Sequence, residues 1–310
     1  MVLPGSPGLP VELACGPDDL RQLAEHDAQH RTFSGGAGPL SALDTCNQER
    51  LGTVLLVAGY TGTKEDFAPL LRPLCEAGYR AVALDQRGQY ESPGPDDESR
   101  YSVDELGSDV VLVARELLAD CGRPLHLVGH SFGGLVGRAA VLAEPALFTS
   151  LTLLWSGPAK LVGPRAVMLE YMRPLLAEGG VQAVHEAMQQ LAMTDPRAQA
   201  VPAPTRAFLT QRFLANSAAG LLGMADAMTT EPDRVAELAA TGLPVLVAHG
   251  IADDAWTPEA QTDMAQRLGA RHEVIPGSIH SPAIENPTRT LEVLLDFWGS
   301  VSAVDSSVAS

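Results

Sequence analysis

The sequence predicts an α/β fold: a mostly parallel central sheet with helices on both faces, and a helical cap inserted before the strand that carries a candidate acid. Three observations predict it. From Thr53 onward, short runs of Val, Leu and Ala alternate with helix-like stretches and no hairpin signal separates them, which is how strands joined by helical crossovers read. The turn Gly129-His130-Ser131-Phe132-Gly133 links one such run, Leu125 to Val128, to a small-residue stretch, Gly134 to Ala143, that has helical spacing. Between a strand ending near Trp155 and another starting near Leu243, about 85 residues keep a helical period with no strand pattern.

Taken in order, residues 1–50 are the least regular: a Gly/Pro-rich start, a helix expected from Asp18 to Arg31, then the Gly-rich Ser34 to Gly38, with no legible antiparallel strand pair. The first part of the core, 51–158, reads as a strand at 53–58, a helix from Asp66 through Glu76, a strand at 80–84 and a helix from Val103 to Leu118. The elbow strand, its helix and a strand from Ser150 to Trp155 follow. In the first helix Phe67, Leu70, Leu71 and Leu74 form a core-facing stripe; Pro69 fits only near its start, and Pro73 is expected to kink it. The cap, 159–242, carries apolar stripes at Val181, Val184, Met188 and Leu191, at Met168 and Met172, and at Phe208, Leu209, Phe213 and Leu214. It also holds six of the eight methionines, whose adaptable side chains suit the lining of an apolar pocket or packing within the cap itself. The second part of the core is 243–300, and 301–310 is small and polar enough to be expected disordered.

Composition narrows the function. A chain of 310 residues with 45% hydrophobic and 19% charged content can bury a sizeable core. A net charge of −17 disfavours nucleic acid and anionic membrane surfaces as partners. No apolar run approaches the roughly 20 residues that span a bilayer, so no membrane insertion is expected, and Met1 to Gly16 lacks the pattern of a secretory signal. Cys15, Cys46, Cys75 and Cys121 show no paired spacing and read as reduced thiols. The expectation is a cytoplasmic protein acting on a small molecule.

The chemistry begins at Ser131. A side chain at the tip of so tight a strand-to-helix turn is held in a strained backbone, and the flanking glycines remove β-carbons where strand and helix cross. A nucleophilic serine needs a base and an acid, each presented after a strand. The run Pro244 to Gly250 ends in a turn carrying Asp253 and Asp254, either of which could supply the acid. The segment Glu273 to Ile279 presents His280 on a loop after a Gly turn. His130 and His249 are alternative bases, but each abuts a strand end and reads as structural. His26 and His30 have the i, i+4 spacing of a zinc-binding helix, yet Asp27 stands where that motif needs Glu and no third ligand is evident, so a surface helix is expected and no metal.

These motifs resemble the α/β-hydrolase superfamily over roughly residues 51 to 300: the elbow at 129–134, Val57-Ala58-Gly59-Tyr60-Thr61-Gly62 in the position of the oxyanion-hole loop, and Leu84-Asp85-Gln86-Arg87-Gly88-Gln89 in that of an Asp-x-Arg-Gly-His-Gly turn. Two departures are Ala58, where histidine usually precedes the oxyanion glycine, and Gln89, where histidine usually follows Gly88. The resemblance implies a catalytic set of Ser131, His280 and Asp253, the last favoured over Asp254 by its place after the turn glycine. It also implies an oxyanion hole from the backbone N–H groups of Tyr60 and Phe132, and no cofactor. Trp155, Met168 and Met172 are expected to line the substrate pocket. The activity so implied is hydrolysis of a small to medium apolar carboxylic ester, thioester or lactone. Carbon–carbon or amide hydrolysis on the same scaffold, and ligand binding without catalysis, are the alternatives.

Overall fold

Strands without polar alternation must be covered on both faces, and the central strands are buried along their whole length: β3 (Gly52–Val57), β4 (Tyr79–Leu84), β6 (Ser150–Leu154) and β7 (Val245–His249). The computed structural model describes residues 21–45, 51–122, 124–193, 196–253 and 255–308. With β1 (Gln29–Gly35), β2 (Gly38–Asp44), β5 (Leu125–His130) and β8 (Arg271–Val274), these strands form one eight-stranded sheet in the order β1-β2-β4-β3-β5-β6-β7-β8. β1 and β2 are antiparallel to each other and β2 is antiparallel to β4; the other pairs are parallel.

Helices cover both faces. On one side α2 (Val103–Cys121), α3 (Phe132–Ala143) and α9 (Pro258–Leu268) contribute Leu106, Val113, Leu117, Val136 and Met264 to a core with Leu55, Leu127 and Val247. On the other, α1 (Ala68–Glu76) and α11 (Pro287–Val308) place Leu70, Leu74, Leu294 and Trp298 against Val54, Leu56 and Leu246. The expected stripe Phe67, Leu70, Leu71, Leu74 is buried, but a 3₁₀ turn, Lys64–Phe67, precedes the α-helix, which starts at Ala68 so that Pro69 falls in its first turn.

Three sequence expectations are corrected. No helix runs up to Arg31: Arg21–Leu23 is a 3₁₀ turn and the chain is already a strand at Gln29, closing a hairpin with β2 in which Gly35 faces Gly38. Pairing with β2 and burial of Phe33 override the local helical preference. His26 and His30 therefore share no helix face. The tail is helical through Val308, because Val301 extends the buried stripe of Leu294, Phe297 and Trp298 beyond residue 300. Cys75 is disulfide-bonded, which its spacing along the chain could not reveal; that bond removes the cysteine argument for a cytoplasmic location.

Between β6 and β7 the chain is helical, as expected: α4 (Pro164–Ala192), α5 (Pro196–Ala200), α6 (Ala203–Leu214), α7 (Ala218–Thr230) and α8 (Val235–Ala240). α4 breaks at Gly180, whose φ of 69° only glycine adopts readily. Its two halves fold over a small cluster of Leu176, Val184, Phe213, Leu221 and Leu222. The short α10 (Pro282–Glu285) follows the loop carrying His280. No described helix is long and apolar enough to cross a membrane.

Candidate active site

Ser131 sits between β5 and α3 with φ 55° and ψ −123°, a conformation that costs about 1–3 kcal/mol and persists only where its surroundings dictate it. The surroundings do so tightly. A β-carbon on Gly129 would fall 2.3 Å from the Gly133 carbonyl oxygen, and one on Gly133 would fall 2.3 Å from that of Val57. The Ser131 amide is tied to the Leu154 carbonyl at 2.9 Å. Strand, elbow and helix can therefore pack only with glycine at both positions.

The Ser131 hydroxyl lies 3.0 Å from Nε2 of His280, and Nδ1 of His280 lies 2.9 Å from Oδ1 of Asp253. A carboxylate only accepts, so Nδ1 carries the proton and Nε2 presents its lone pair to the serine. Asp253 is fixed in turn: its side chain is wholly buried, Oδ1 also accepts the Ala255 N–H at 2.9 Å, and Oδ2 accepts from Gln261 Nε2 at 2.7 Å. Asp254, the alternative acid, lies outside the described residues.

The histidine loop is held from three directions. Oε2 of Glu285 accepts the Ser278 hydroxyl (2.7 Å) and the backbone N–H groups of Ile279 (2.8 Å), His280 (3.1 Å) and Ser281 (2.8 Å). Trp155 donates its indole N–H to the Ile279 carbonyl at 2.8 Å, and His130 donates Nε2–H to the His280 carbonyl at 2.6 Å. Burial, with the neighbouring His280 adding to it, pushes the His130 imidazolium well below the usual range, so His130 stays neutral and serves as a brace. His249 is likewise occupied, with Nδ1 on the Gly250 carbonyl (2.7 Å) and Nε2 on His272 Nε2 (2.8 Å). Sequence reasoning missed Glu285 and Gln261. The one available signal was a carboxylate five residues after a loop histidine.

The loop of Gly59 and Tyr60 faces Ser131: a β-carbon on Gly59 would lie 2.9 Å from Cβ and 3.4 Å from Oγ of that serine. Phe132 opens α3, so its N–H has no partner inside the helix, while its side chain is buried in the core. The Tyr60 phenol reaches the Leu221 carbonyl of α7 at 3.2 Å, and burial raises its pKa.

Above Ser131 and His280 lies a cavity of roughly 550 Å³, walled by the insert. Met168, Met172, Met188 and Met228 line it. Trp155 does not: with φ 53° its backbone turns the ring into the core beside Ile275, where it braces the histidine loop. At the cavity wall Arg212 of α6 meets Asp66 at 2.6 Å. Burial alone would raise the Asp66 carboxyl, but Arg212, with hydrogen bonds from Gln22 and Thr63, outweighs it and holds the carboxyl below its usual range.

A serine on a strand-to-helix turn at the carboxyl end of a parallel sheet, hydrogen-bonded to a histidine and through it to a carboxylate on later loops, is the arrangement that marks the class. The chain belongs to the alpha/beta hydrolase family, whose model matches residues 54–293. Among curated relatives, a proposed carbamate hydrolase, RutD, of Variovorax paradoxus is 43% identical over 107 residues, and a pimeloyl-[acyl-carrier protein] methyl ester esterase of Aeromonas hydrophila is 26% identical over 234. The first match covers 34% of this chain and spans only 39% of that relative; the second covers 73% and 88%. Among solved structures, one from a study of carboxylesterases of Nitrososphaera gargenis has a TM-score of 0.72 at 20% identity, covering 88% of this chain and 99% of that one. An enol-lactonase of Burkholderia xenovorans gives 0.70 at 20%, covering 86% and 99%. These structures share the fold.

Proposed function

We propose that this chain is a serine hydrolase that cleaves a small to medium, apolar carboxylic ester, thioester or lactone through an acyl-Ser131 intermediate. The observation that carries the proposal is the continuous hydrogen-bonded line Ser131–His280–Asp253 opening into an apolar cavity. The relatives named as a methyl ester esterase, carboxylesterases and an enol-lactonase support acyl–oxygen cleavage. Residues 159–242 act as the cap that shapes the substrate pocket.

In this reading Ser131 Oγ attacks the substrate carbonyl while His280 Nε2 takes its proton. The oxygen that gains charge is met by the backbone N–H groups of Tyr60 and Phe132, donors typically worth about 3 kcal/mol each when preorganised. His280 then protonates the leaving alkoxide or thiolate as the acyl bond breaks, and a water repeats the sequence to release the acid and restore Ser131. Asp253 fixes the imidazole tautomer and stabilises the imidazolium in both steps. These steps call for no metal or organic cofactor.

Exposure to a small serine-directed phosphonate, followed by peptide mass spectrometry, tests the proposal. An adduct on Ser131 of the wild-type chain, absent from Ser131→Ala, is expected. A folded wild-type protein that takes no label would overturn it in favour of ligand binding.

A further inference from the structure

Two glutamines of the turn after β4 hold the backbone of the loop beside Ser131. Gln86 Nε2 donates to the Ala58 carbonyl at 2.7 Å, and Gln89 Nε2 donates to the Gly59 carbonyl at 2.9 Å. A carbonyl oxygen only accepts, so the orientation of the Gln89 amide follows from its partner. Gln89 is fully buried between this loop and Met224 of α7.

The Gly59 carbonyl belongs to the same peptide unit as the Tyr60 N–H. In a trans peptide these two groups point in opposite directions, so whatever fixes one fixes the other. The Gly59 oxygen already accepts the Gly62 N–H at 3.0 Å, so it does not need Gln89 merely to be satisfied. A second donor, from a different element, restricts rotation of the peptide plane. The Gln89 amide also leaves its own Oε1 buried with no partner, a cost in stability that an apolar side chain of the same length would avoid.

We infer that Gln89 is a positioning residue for the oxyanion hole: by anchoring the Gly59 carbonyl it turns the Tyr60 N–H toward the reacting carbonyl above Ser131. This rests on the serine-hydrolase reading proposed above. It also gives a reason for glutamine where histidine was expected, since a histidine N–H could supply the same donor. Met224, the other neighbour of the Gln89 amide, lies on the cap helix whose Leu221 carbonyl receives the Tyr60 phenol, so both ends of Tyr60 are tied to the same corner of the molecule.

The test is steady-state hydrolysis of an activated ester by the full chain, alongside binding of a trifluoromethyl ketone, which forms an oxyanion on the serine. Gln89→Met is expected to lower kcat about 10- to 100-fold, with KM within about 2-fold and ketone affinity falling in parallel with kcat/KM. Gln89→His should recover kcat to within about 5-fold of wild type, a rescue that a packing role would not produce. Should Gln89→Met not fold, Gln89→Asn, one methylene too short to reach the Gly59 carbonyl, takes its place with the same expected loss. Wild-type kcat in the Met or Asn variant, a kcat loss with ketone affinity unchanged, or a His variant no better than Met would each overturn the inference. A wild-type chain that takes no phosphonate on Ser131 removes the hydrolase reading and this inference with it; a labelled wild type with indifferent Gln89 variants removes the inference alone.

Discussion

The sheet and the insert solve opposite problems with the same kinds of residue. In the sheet, β3, β4, β6 and β7 expose nothing, and Ser131, His280 and Asp253 are each fixed by hydrogen bonds from several elements. In the insert, the 29-residue α4 buries only Leu176 and Val184 and leaves Val167, Met168, Tyr171, Met188 and Leu191 exposed. Positions that must hold an atom to within a fraction of an ångström are over-determined, whereas the cavity wall is built from side chains with room to move. The difference predicts that substitutions in the sheet region act on kcat or on folding, and those in the insert on substrate preference.

The sharpest break comes at the hydrogen-bonded line itself. Ser131→Ala and His280→Ala should each lower kcat by at least about 10³-fold, and Asp253→Asn by about 10⁴-fold through the wrong histidine tautomer, with unfolding temperatures near wild type. Ser131→Gly adds a second reading of the same site. It removes the side chain that makes φ 55° costly, so it should abolish turnover while raising stability by up to about 1–3 kcal/mol. An inactive chain that gains no stability would show that the elbow is not strained.

His126 tests the sheet without touching the chemistry. Its ring is fully buried in β5, with Nδ1 2.8 Å from the Ser150 hydroxyl and the ring stacked 5.1 Å from that of Trp298. Burial lowers its pKa to about 4 from the 6.5 of an exposed histidine. Below pH 6.5 the unfolded chain therefore binds a proton that the folded chain refuses until about pH 4. The corresponding stability is present above 6.5 and is lost as the pH falls toward 4, amounting to about 3 kcal/mol in all. Urea unfolding at pH 7 and pH 4.5 should show a smaller loss for His126→Phe than for wild type. Equal losses would mean that the ring is accessible to protons.

Glu285 stands between these cases, since it meets the chemistry only through the backbone of the histidine loop. Four donors converge on its Oε2, and Glu285→Ala leaves the buried ones to find water or each other. A fall in kcat of about 10- to 100-fold with KM little changed is expected, and Glu285→Gln, which keeps an acceptor in place, should lose less. Identical kinetics for Ala and wild type would show that Trp155 and His130 suffice to hold His280.

Much of this site was legible because its signals are local. The elbow is five consecutive residues, and Asp253 follows β7, which the apolar pattern marks, whereas β8 before His280 is the part-polar Arg271–Val274 and only the Gly turn after it signals the histidine loop. What stayed hidden depends on distance in space. Glu285 and Gln89 act on backbone groups of segments with which they share no periodic pattern, and the Trp155 ring leaves the cavity because of one positive φ. The hairpin of β1 and β2 was unread because its strands are edge-like and part polar, and only pairing with β4 gives them a reason to extend. The Cys75 disulfide belongs to the same class: bridging partners are set by the fold.

The smallest effects are expected in the insert, and they carry the other half of the comparison. Met168 and Met188 both line the cavity and remain close to half exposed, so truncating either removes only part of a buried side chain's worth of contact. Met168→Ala and Met188→Ala should therefore change stability by less than about 1 kcal/mol and leave kcat on a short acetyl ester unchanged. They should shift the ratio of kcat/KM between octanoyl and acetyl esters by about 3- to 10-fold, because the lost contact is made only by the longer chain. Tyr171→Ser on the same helix, three-quarters exposed and outside the cavity lining, is the control and should move none of these quantities. If Met168→Ala instead lowered kcat on every ester alike, the insert would be shaping the reacting centre through Tyr60 and α7, and the separation between a fixed sheet and a forgiving cap would fail at that contact.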